Sequence, residues 1–143
     1  MSTVDYAAFH RALIADLREH AGLVTSGPMA GKPLAILTTT GSRTGEPRTV
    51  VVSYTRDGER YVIAGSKGGA PTHPAWYLNL VAHPAVTLEA DGETFAARAT
   101  VTDGAERSRL WDRHVAALPA FGEYPRKTDR VIPVIVLDRV EPR

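Results

Sequence analysis

Residues 49–66 read TVVVSYTRDGERYVIAGS. Two runs rich in β-branched and aromatic side chains flank Arg-Asp-Gly-Glu, and Asp57-Gly58 offers the positive-φ chemistry that a tight antiparallel hairpin requires. The same device recurs where Asp91-Gly92 joins AVTLEA (85–90) to TFAARATV (94–101). LAILTTT (34–40) upstream and VIPVIVLDRV (131–140) downstream add further strand-forming runs. Working outward from the first hairpin therefore gives about six strands, mostly antiparallel. Strands this short leave open backbone edges unless the sheet rolls up, so a small closed or split barrel is expected.

Helical periodicity interrupts the strands three times. From about Thr3 to Ala21, the residues Phe9, Leu13, Leu17 and Ala21 recur every four positions, with Tyr6, Ala7 and Ile14 widening the apolar stripe. This amphipathic helix is expected to pack on the domain; a lid over a ligand or a membrane-surface element is the alternative, opposed by Asp5, Asp16 and Glu19 on its polar side. HPAWYLNLVAH (73–83) reads as a short helix with Pro74 in its first turn. Gly104 to Leu118 reads as a third, with Leu110, Trp111, His114, Val115 and Leu118 on one face and DGAE (103–106) as a capping box headed by Asp103. Strands with a few outer helices give an α+β class, one domain over 1–143 with the N-terminal helix in 1–21 and the barrel and its helices in 33–138.

Length and charge narrow the function. A chain of 143 residues suits one core, burying roughly 70% of the unfolded surface. Seventeen basic against sixteen acidic side chains leave a net charge of +1, so no nucleic-acid-type field surrounds the molecule and any basic site is local. The absence of cysteine removes disulfides, thiol nucleophiles and thiolate metal sites. The N-terminal stretch lacks the pattern of a signal peptide and no run reaches the ~18 apolar residues of a membrane span, so a cytoplasmic protein is expected. The five histidines, at 10, 20, 73, 83 and 114, have no metal-ligand spacing, and there is no GxSxG elbow, Walker loop or dinucleotide fingerprint. His114, on the apolar helix face, is expected to be a hydrogen-bonded core residue.

Two loops remain, TTTGSRTGEPR (38–48) and AGSKGG (64–69). Each combines hydroxyls, glycines and a cation. Glycines let backbone amides approach an anion, and Arg43, Arg48 and Lys67 offer charge-assisted hydrogen bonds of roughly 1.5–3 kcal/mol each. Each loop adjoins a strand ending at the same rim of the expected barrel, which favours a phosphate or carboxylate receptor over two solvated turns. Trp76 and Tyr77, ten residues on, offer a flat wall for a ring, with core packing as the rival role.

LAILTTTGSRTGEPR, DGERYVIAGSKGGAPTHPAWYLNL, AHPAVTLE and TDRVIPVIVLDR, in that order, resemble the deazaflavin-dependent nitroreductase family over about residues 33–138. The family is common in actinobacteria and uses 8-hydroxy-5-deazaflavin, coenzyme F420. The resemblance implies a split β-barrel related to flavin-mononucleotide-binding oxidoreductases. It places Ser66, Lys67 and the backbone of Ala64, Gly65, Gly68 and Gly69 along the deazaflavin and its ribityl-phosphate, with Ala75, Trp76, Tyr77 and Asn79 as the far wall. Ser42, Arg43, Thr44 and Arg48 correspond to positions holding the phosphate and the start of the polyglutamate tail, while Thr49, Val50 and the chain to Ser53 pass beside the ring. Lys32 and Lys127 are added from charge alone, toward the tail carboxylates.

The implied reaction is hydride transfer from C5 of the reduced deazaflavin to a small electron-poor acceptor: a quinone, an activated alkene or a nitroaromatic. Ser66 and Tyr124 are the candidates for polarising or protonating that acceptor. Ser53, Leu118, Phe121 and Tyr124 fall at expected substrate-pocket positions, several of which are tyrosine in nitroimidazole-reducing members. With only Tyr124 keeping its hydroxyl, nitroimidazole reduction is not expected. Flavin mononucleotide in the same barrel, and a carrier that binds F420 without turnover, are the alternatives. A homodimer through barrel faces and a peripheral membrane contact are compatible with the sequence; a protein-bound metal and an integral membrane segment are not expected.

Overall fold

The computed structural model of the protein describes residues 6–19, 33–66, 72–128 and 130–140, with side chains from Arg11 onward. In chain order they form α1 (Tyr6–Glu19), β1 (Leu34–Thr40), β2 (Pro47–Ser53), β3 (Thr55–Asp57), β4 (Arg60–Ala64), α2 (Ala75–Ala82), β5 (Ala85–Ala90), β6 (Glu93–Val101), α3 (Gly104–Ala117), a 3-10 segment (Pro119–Arg126) and β7 (Val134–Arg139). The strands make one antiparallel sheet in the order β2-β1-β5-β6-β7-β4-β3, curled into a split barrel.

The described residues form seven strands where about six were expected, and the difference explains how the sheet rolls. The run TVVVSYT breaks at Tyr54: β2 pairs with β1 on one edge of the sheet and β3 pairs with β4 on the other. One stretch of chain thus spans the gap between the edges. Tyr54 marks the break with its backbone N–H donated to the Pro33 carbonyl at 3.1 Å.

Both expected hairpins form. The β3–β4 connection puts Gly58 at φ +63°, and the β5–β6 connection puts Asp91 and Gly92 at φ +53° and +77°, the two positive values of a type I′ turn. Asp91 tolerates that geometry better than most side chains, and its carboxylate, accepting from the Tyr54 hydroxyl at 2.8 Å and the Tyr61 hydroxyl at 2.6 Å, ties the turn to the barrel floor.

Inside the barrel, Ala35, Leu37, Ile63, Leu88, Phe95, Ala97, Ile135 and Leu137 form the main core, with Leu80 entering it from α2. The alternation is cleanest in β6, where Phe95, Ala97 and Ala99 point inward and their neighbours are exposed. In β1 both faces are covered: Leu34 and Ile36 point outward and are buried under Leu13 and Leu17 of α1. Arg18 fixes that helix through a two-pronged pair with Glu89, at 2.9 and 2.8 Å. α3 covers the far side, packing Leu110 and Trp111 on Val62, Val134 and Val136.

Two local expectations need correction. Asp103 does stand at the cap position of α3, but its side chain makes no capping bond; Glu106, the other half of the expected box, reaches Arg60 instead, at 3.3 Å. Pro74 caps α2 from outside rather than occupying its first turn. His114 is fully buried, as expected of a core residue, with Nδ1 bonded to Thr55 Oγ1 at 2.9 Å and Nε2 without a partner among the described residues. Burial pushes its imidazole down to about 4.

Candidate functional site

β1 and β4 are separated by four antiparallel pairings, β1–β5, β5–β6, β6–β7 and β7–β4, so they point the same way and their C-terminal ends reach one rim of the barrel. The loop after β1 and the segment after β4 therefore emerge together, with α2 following. The topology brings Ala64, Gly65 and Ser66 to the rim from which the β1–β2 loop emerges.

Between the β1–β2 loop and α2 lies a cleft of about 570 Å3, lined by Thr39, Gly41, Ser42, Arg43, Thr44, Arg48, Thr49, Val50, Ala75, Trp76, Leu78 and Asn79. The loop has a defined shape. Gly41 N–H donates to the Glu46 carbonyl at 2.8 Å and Gly45 N–H to the Gly41 carbonyl at 2.9 Å, with Gly45 at φ +73°. A Cβ at Gly41 would lie 2.7 Å from Thr44 Oγ1, so only glycine fits there without moving that hydroxyl.

Asn79 anchors the loop from below. Its Oδ1 accepts the Ser42 N–H at 3.0 Å and its Nδ2 donates to Thr39 Oγ1 at 3.1 Å, with Asn79 and Thr39 both buried. α2 itself is held by Leu80 in the core, so cleft wall and cleft loop share a rigid support.

The chemistry of the lining is one-sided. It contains two arginines and no carboxylate, and neither Arg43 nor Arg48 forms an ion pair among the described residues. The opposite rim shows the contrast: a cavity of about 560 Å3 there is lined by Arg56, Arg60 and Arg139 together with Glu59, Asp91, Glu93 and Asp138. Those cations are consumed internally, Arg56 by Asp91 at 2.9 Å and Arg139 by Glu93 at 3.0 Å. There Tyr61 is pushed up to about 12 by burial and by its bond to Asp91, whose carboxyl is held below its usual range chiefly by that same hydroxyl. Cations with no carboxylate partner among the described residues, beside hydroxyls and a pinned backbone, make the first rim the one suited to an anion.

Among the residues singled out from sequence, Ser42, Arg43, Thr44, Arg48, Thr49, Val50, Ala75, Trp76 and Asn79 meet in the cleft. Ala64, Gly65 and Ser66 are at the same rim at the end of β4, and Ser66 is buried. Lys67, Gly68, Gly69 and Lys32 lie outside the described residues. Tyr77 does not line the cleft; its ring packs on His73 at 4.7 Å. Ser53 ends β2 opposite Leu34. Leu118, Phe121 and Tyr124 gather over α3, Phe121 edge-on to His114 at 4.5 Å and 5.1 Å from Tyr124, and Lys127 lies 5.9 Å from the Tyr124 ring. None of these four candidate pocket residues lines the cleft.

The structure adds Thr39, Gly41 and Leu78 to the cleft and Arg130 behind it. Arg130 donates to the carbonyls of Gly65 at 2.9 Å and Ser66 at 2.7 Å. The glycine between the threonines and Ser42 was a readable signal for close approach; nothing in the sequence ties Arg130 to residues so distant in the chain.

Comparison with known proteins gives the family. The profile of the F420H(2)-dependent quinone reductase family matches residues 9–139. An F420H(2)-dependent quinone reductase of Mycobacterium tuberculosis (strain ATCC 25618 / H37Rv) is 38% identical over 110 residues, 75% of this chain and 74% of its own. Among solved structures, the F420-H2 dependent reductase FDR-A superposes with a TM-score of 0.69 at 36% identity, covering 74% of this chain and 94% of that one. A second, described as a domain-swapped dimer, gives 0.72 at 30% identity, covering 94% and 100%. The anion-suited rim and these similarities converge, and the chain belongs to the F420H(2)-dependent quinone reductase family.

Proposed function

We infer that the chain is an F420-dependent reductase of the quinone-reducing type and that its cofactor occupies the cleft between the β1–β2 loop and α2. The observation that carries this placement is a lining with two arginines that have no ion-pair partner among the described residues and with no carboxylate among the described lining residues. Coenzyme F420 bears a phosphate and a glutamate tail, and the donor set fits: Arg43 and Arg48 for charge, the hydroxyls of Ser42, Thr44 and Thr49, and a loop backbone held open by Gly41. Reduced F420, when bound, supplies a hydride from C5.

This chain's own residues do the rest by positioning. Val50 and Trp76 give apolar walls for a flat ring and limit water beside it. Asn79 sets the height of the loop against α2. A quinone that accepts hydride also needs a proton, and Ser66, buried at the end of β4, is the hydroxyl proposed to polarise or protonate it, with Tyr124 as the second candidate. A small quinone is the proposed acceptor, with activated alkenes and nitroaromatics as the wider class.

Fluorescence titration with oxidised F420 and with flavin mononucleotide, followed by absorbance at 420 nm when menadione is added to the reduced complex, tests the reading. F420 binding with quinone-dependent reoxidation is expected, and Arg43→Ala or Arg48→Ala is expected to weaken F420 binding by about tenfold, since ~1.4 kcal/mol is a decade. Unchanged affinity in both variants would move the tail site elsewhere; binding without turnover would favour a carrier. The domain-swapped dimer among its structural relatives supports a homodimer for this chain, which sedimentation of the purified protein decides.

A further inference from the structure

One guanidinium outside the cleft lining is committed to acceptors at the end of β4 and just before α2. Arg130 Nη1 donates to the Gly65 carbonyl at 2.9 Å and to His73 Nδ1 at 3.1 Å, while Nη2 donates to the Ser66 carbonyl at 2.7 Å. These acceptors lie just past the end of β4 and just before the start of α2. A guanidinium only donates, so in the bond to His73 the ring's Nδ1 is the acceptor.

Everything around the guanidinium reinforces the same junction. Arg130 N–H donates to Thr128 Oγ1 at 3.2 Å, and Gly65 N–H donates to the Pro133 carbonyl at 2.9 Å. A Cβ on Gly65 would lie 2.9 Å from Pro133 Cγ, so β4 and the approach to β7 are in close contact. On the other side the His73 ring packs on Tyr77 of α2. The planar fork of arginine spreads fixed donors over two terminal nitrogens, a geometry that the single nitrogen of an ammonium does not reproduce.

We infer that Arg130 is a positioning residue for the cofactor site, holding Ser66 and the N-terminal end of α2, with its cleft residues Ala75, Trp76 and Asn79, in one frame. This rests on the cofactor placement proposed above. The inference extends the site to a residue outside the cleft lining that acts through the backbone of Gly65 and Ser66.

The test compares wild type, Arg130→Ala, Arg130→Lys and His73→Ala by F420 fluorescence titration, by kcat and quinone KM at saturating reduced F420, and by thermal midpoint. Arg130→Ala is expected to raise the F420 Kd about tenfold or more and to lower kcat, with the quinone KM within about twofold. Arg130→Lys should recover part of the affinity, and His73→Ala, which removes the bond to the ring nitrogen, should raise Kd by about threefold. A folded Arg130→Ala that binds F420 within about twofold of wild type and loses only thermal midpoint would show a purely structural role and overturn the inference. A change confined to the quinone KM would overturn it too. Should Arg130→Ala fail to fold, Arg130→Lys and His73→Ala carry the test, and wild-type affinity in both overturns it. Arg43→Ala separates the two readings: weakened F420 binding there with none in the Arg130 and His73 variants sinks only this inference, whereas no effect of Arg43→Ala or Arg48→Ala sinks the cofactor placement itself.

Discussion

Asn79 binds the Ser42 N–H and the Thr39 hydroxyl with opposite ends of one amide, so a single side chain from α2 sets the shape of a charged loop whose own cations it does not touch. Replacing it with alanine strands a backbone donor in a part-buried site, at a cost of about 1–3 kcal/mol, and lets the loop shift; urea unfolding and F420 titration should both register the change. Asn79→Asp separates the two effects. It keeps an acceptor for Ser42 and so should unfold later than Asn79→Ala, yet the added negative charge beside the cleft should weaken F420 binding more. His114 makes a second residue-level case. Its imidazole is held down at about 4 by burial, below the ordinary 6.5. The unfolded chain therefore takes up the proton first: this contribution is complete above pH 6.5 and is lost as pH falls through 4, by at most about 3 kcal/mol. Denaturant unfolding at pH 7.5 and pH 4.5 should show the loss in wild type and a much flatter response in His114→Gln, whose amide keeps a partner for Thr55.

At the level of elements, the turn at Asp91-Gly92 does two jobs, reversing the chain at positive φ and presenting a carboxylate to Tyr54, Tyr61 and Arg56. Asp91→Asn keeps the turn geometry but loses the charge, so about 1 kcal/mol of stability at pH 7 should disappear, near the low end because the carboxylate is half exposed. Asp91 titrates below its ordinary 3.8, so its contribution is present above that value and lost as pH falls through its folded value, a window more acidic than that of His114. Unfolding measured at pH 7 and pH 3 should show the two proteins drawing closer at the lower pH. Both hairpins were legible because a tight turn is a local event, and β1 and β5 begin and end where the runs LAILTTT and AVTLEA do. The break at Tyr54 was not legible: an unbroken β-rich run carries no mark of its transfer from one sheet edge to the other, which depends on partners elsewhere. The α3 capping box read correctly as a spacing and failed as a bond, because Arg60, remote in sequence, competes for Glu106. The cleft followed the same rule. Its loop residues were readable from local composition, while Arg130, bonded to carbonyls 64 and 65 positions away, left no local trace.

For the molecule as a whole, the net charge of +1 hides a division between two rims. At one, arginines and carboxylates alternate and pair; at the other, Arg43 and Arg48 face a cleft with no acid among its described lining residues. A nearly neutral protein therefore offers little long-range attraction to an anionic cofactor and must bind it through short-range charge, which salt screens once the pairs are exposed. Arg43 and Arg48 are both exposed. F420 affinity should consequently fall by about tenfold between roughly 50 and 500 mM KCl, while the KM of an uncharged quinone at saturating reduced F420 should change by less than about twofold. In Arg48→Ala, with one cation gone, the salt dependence of F420 binding should be shallower and its affinity at high salt close to that of wild type. Fluorescence titrations across the salt series for both proteins measure this directly. An affinity independent of salt in wild type would assign F420 binding to the apolar wall of Val50 and Trp76 and leave the arginines without the function their isolation implies.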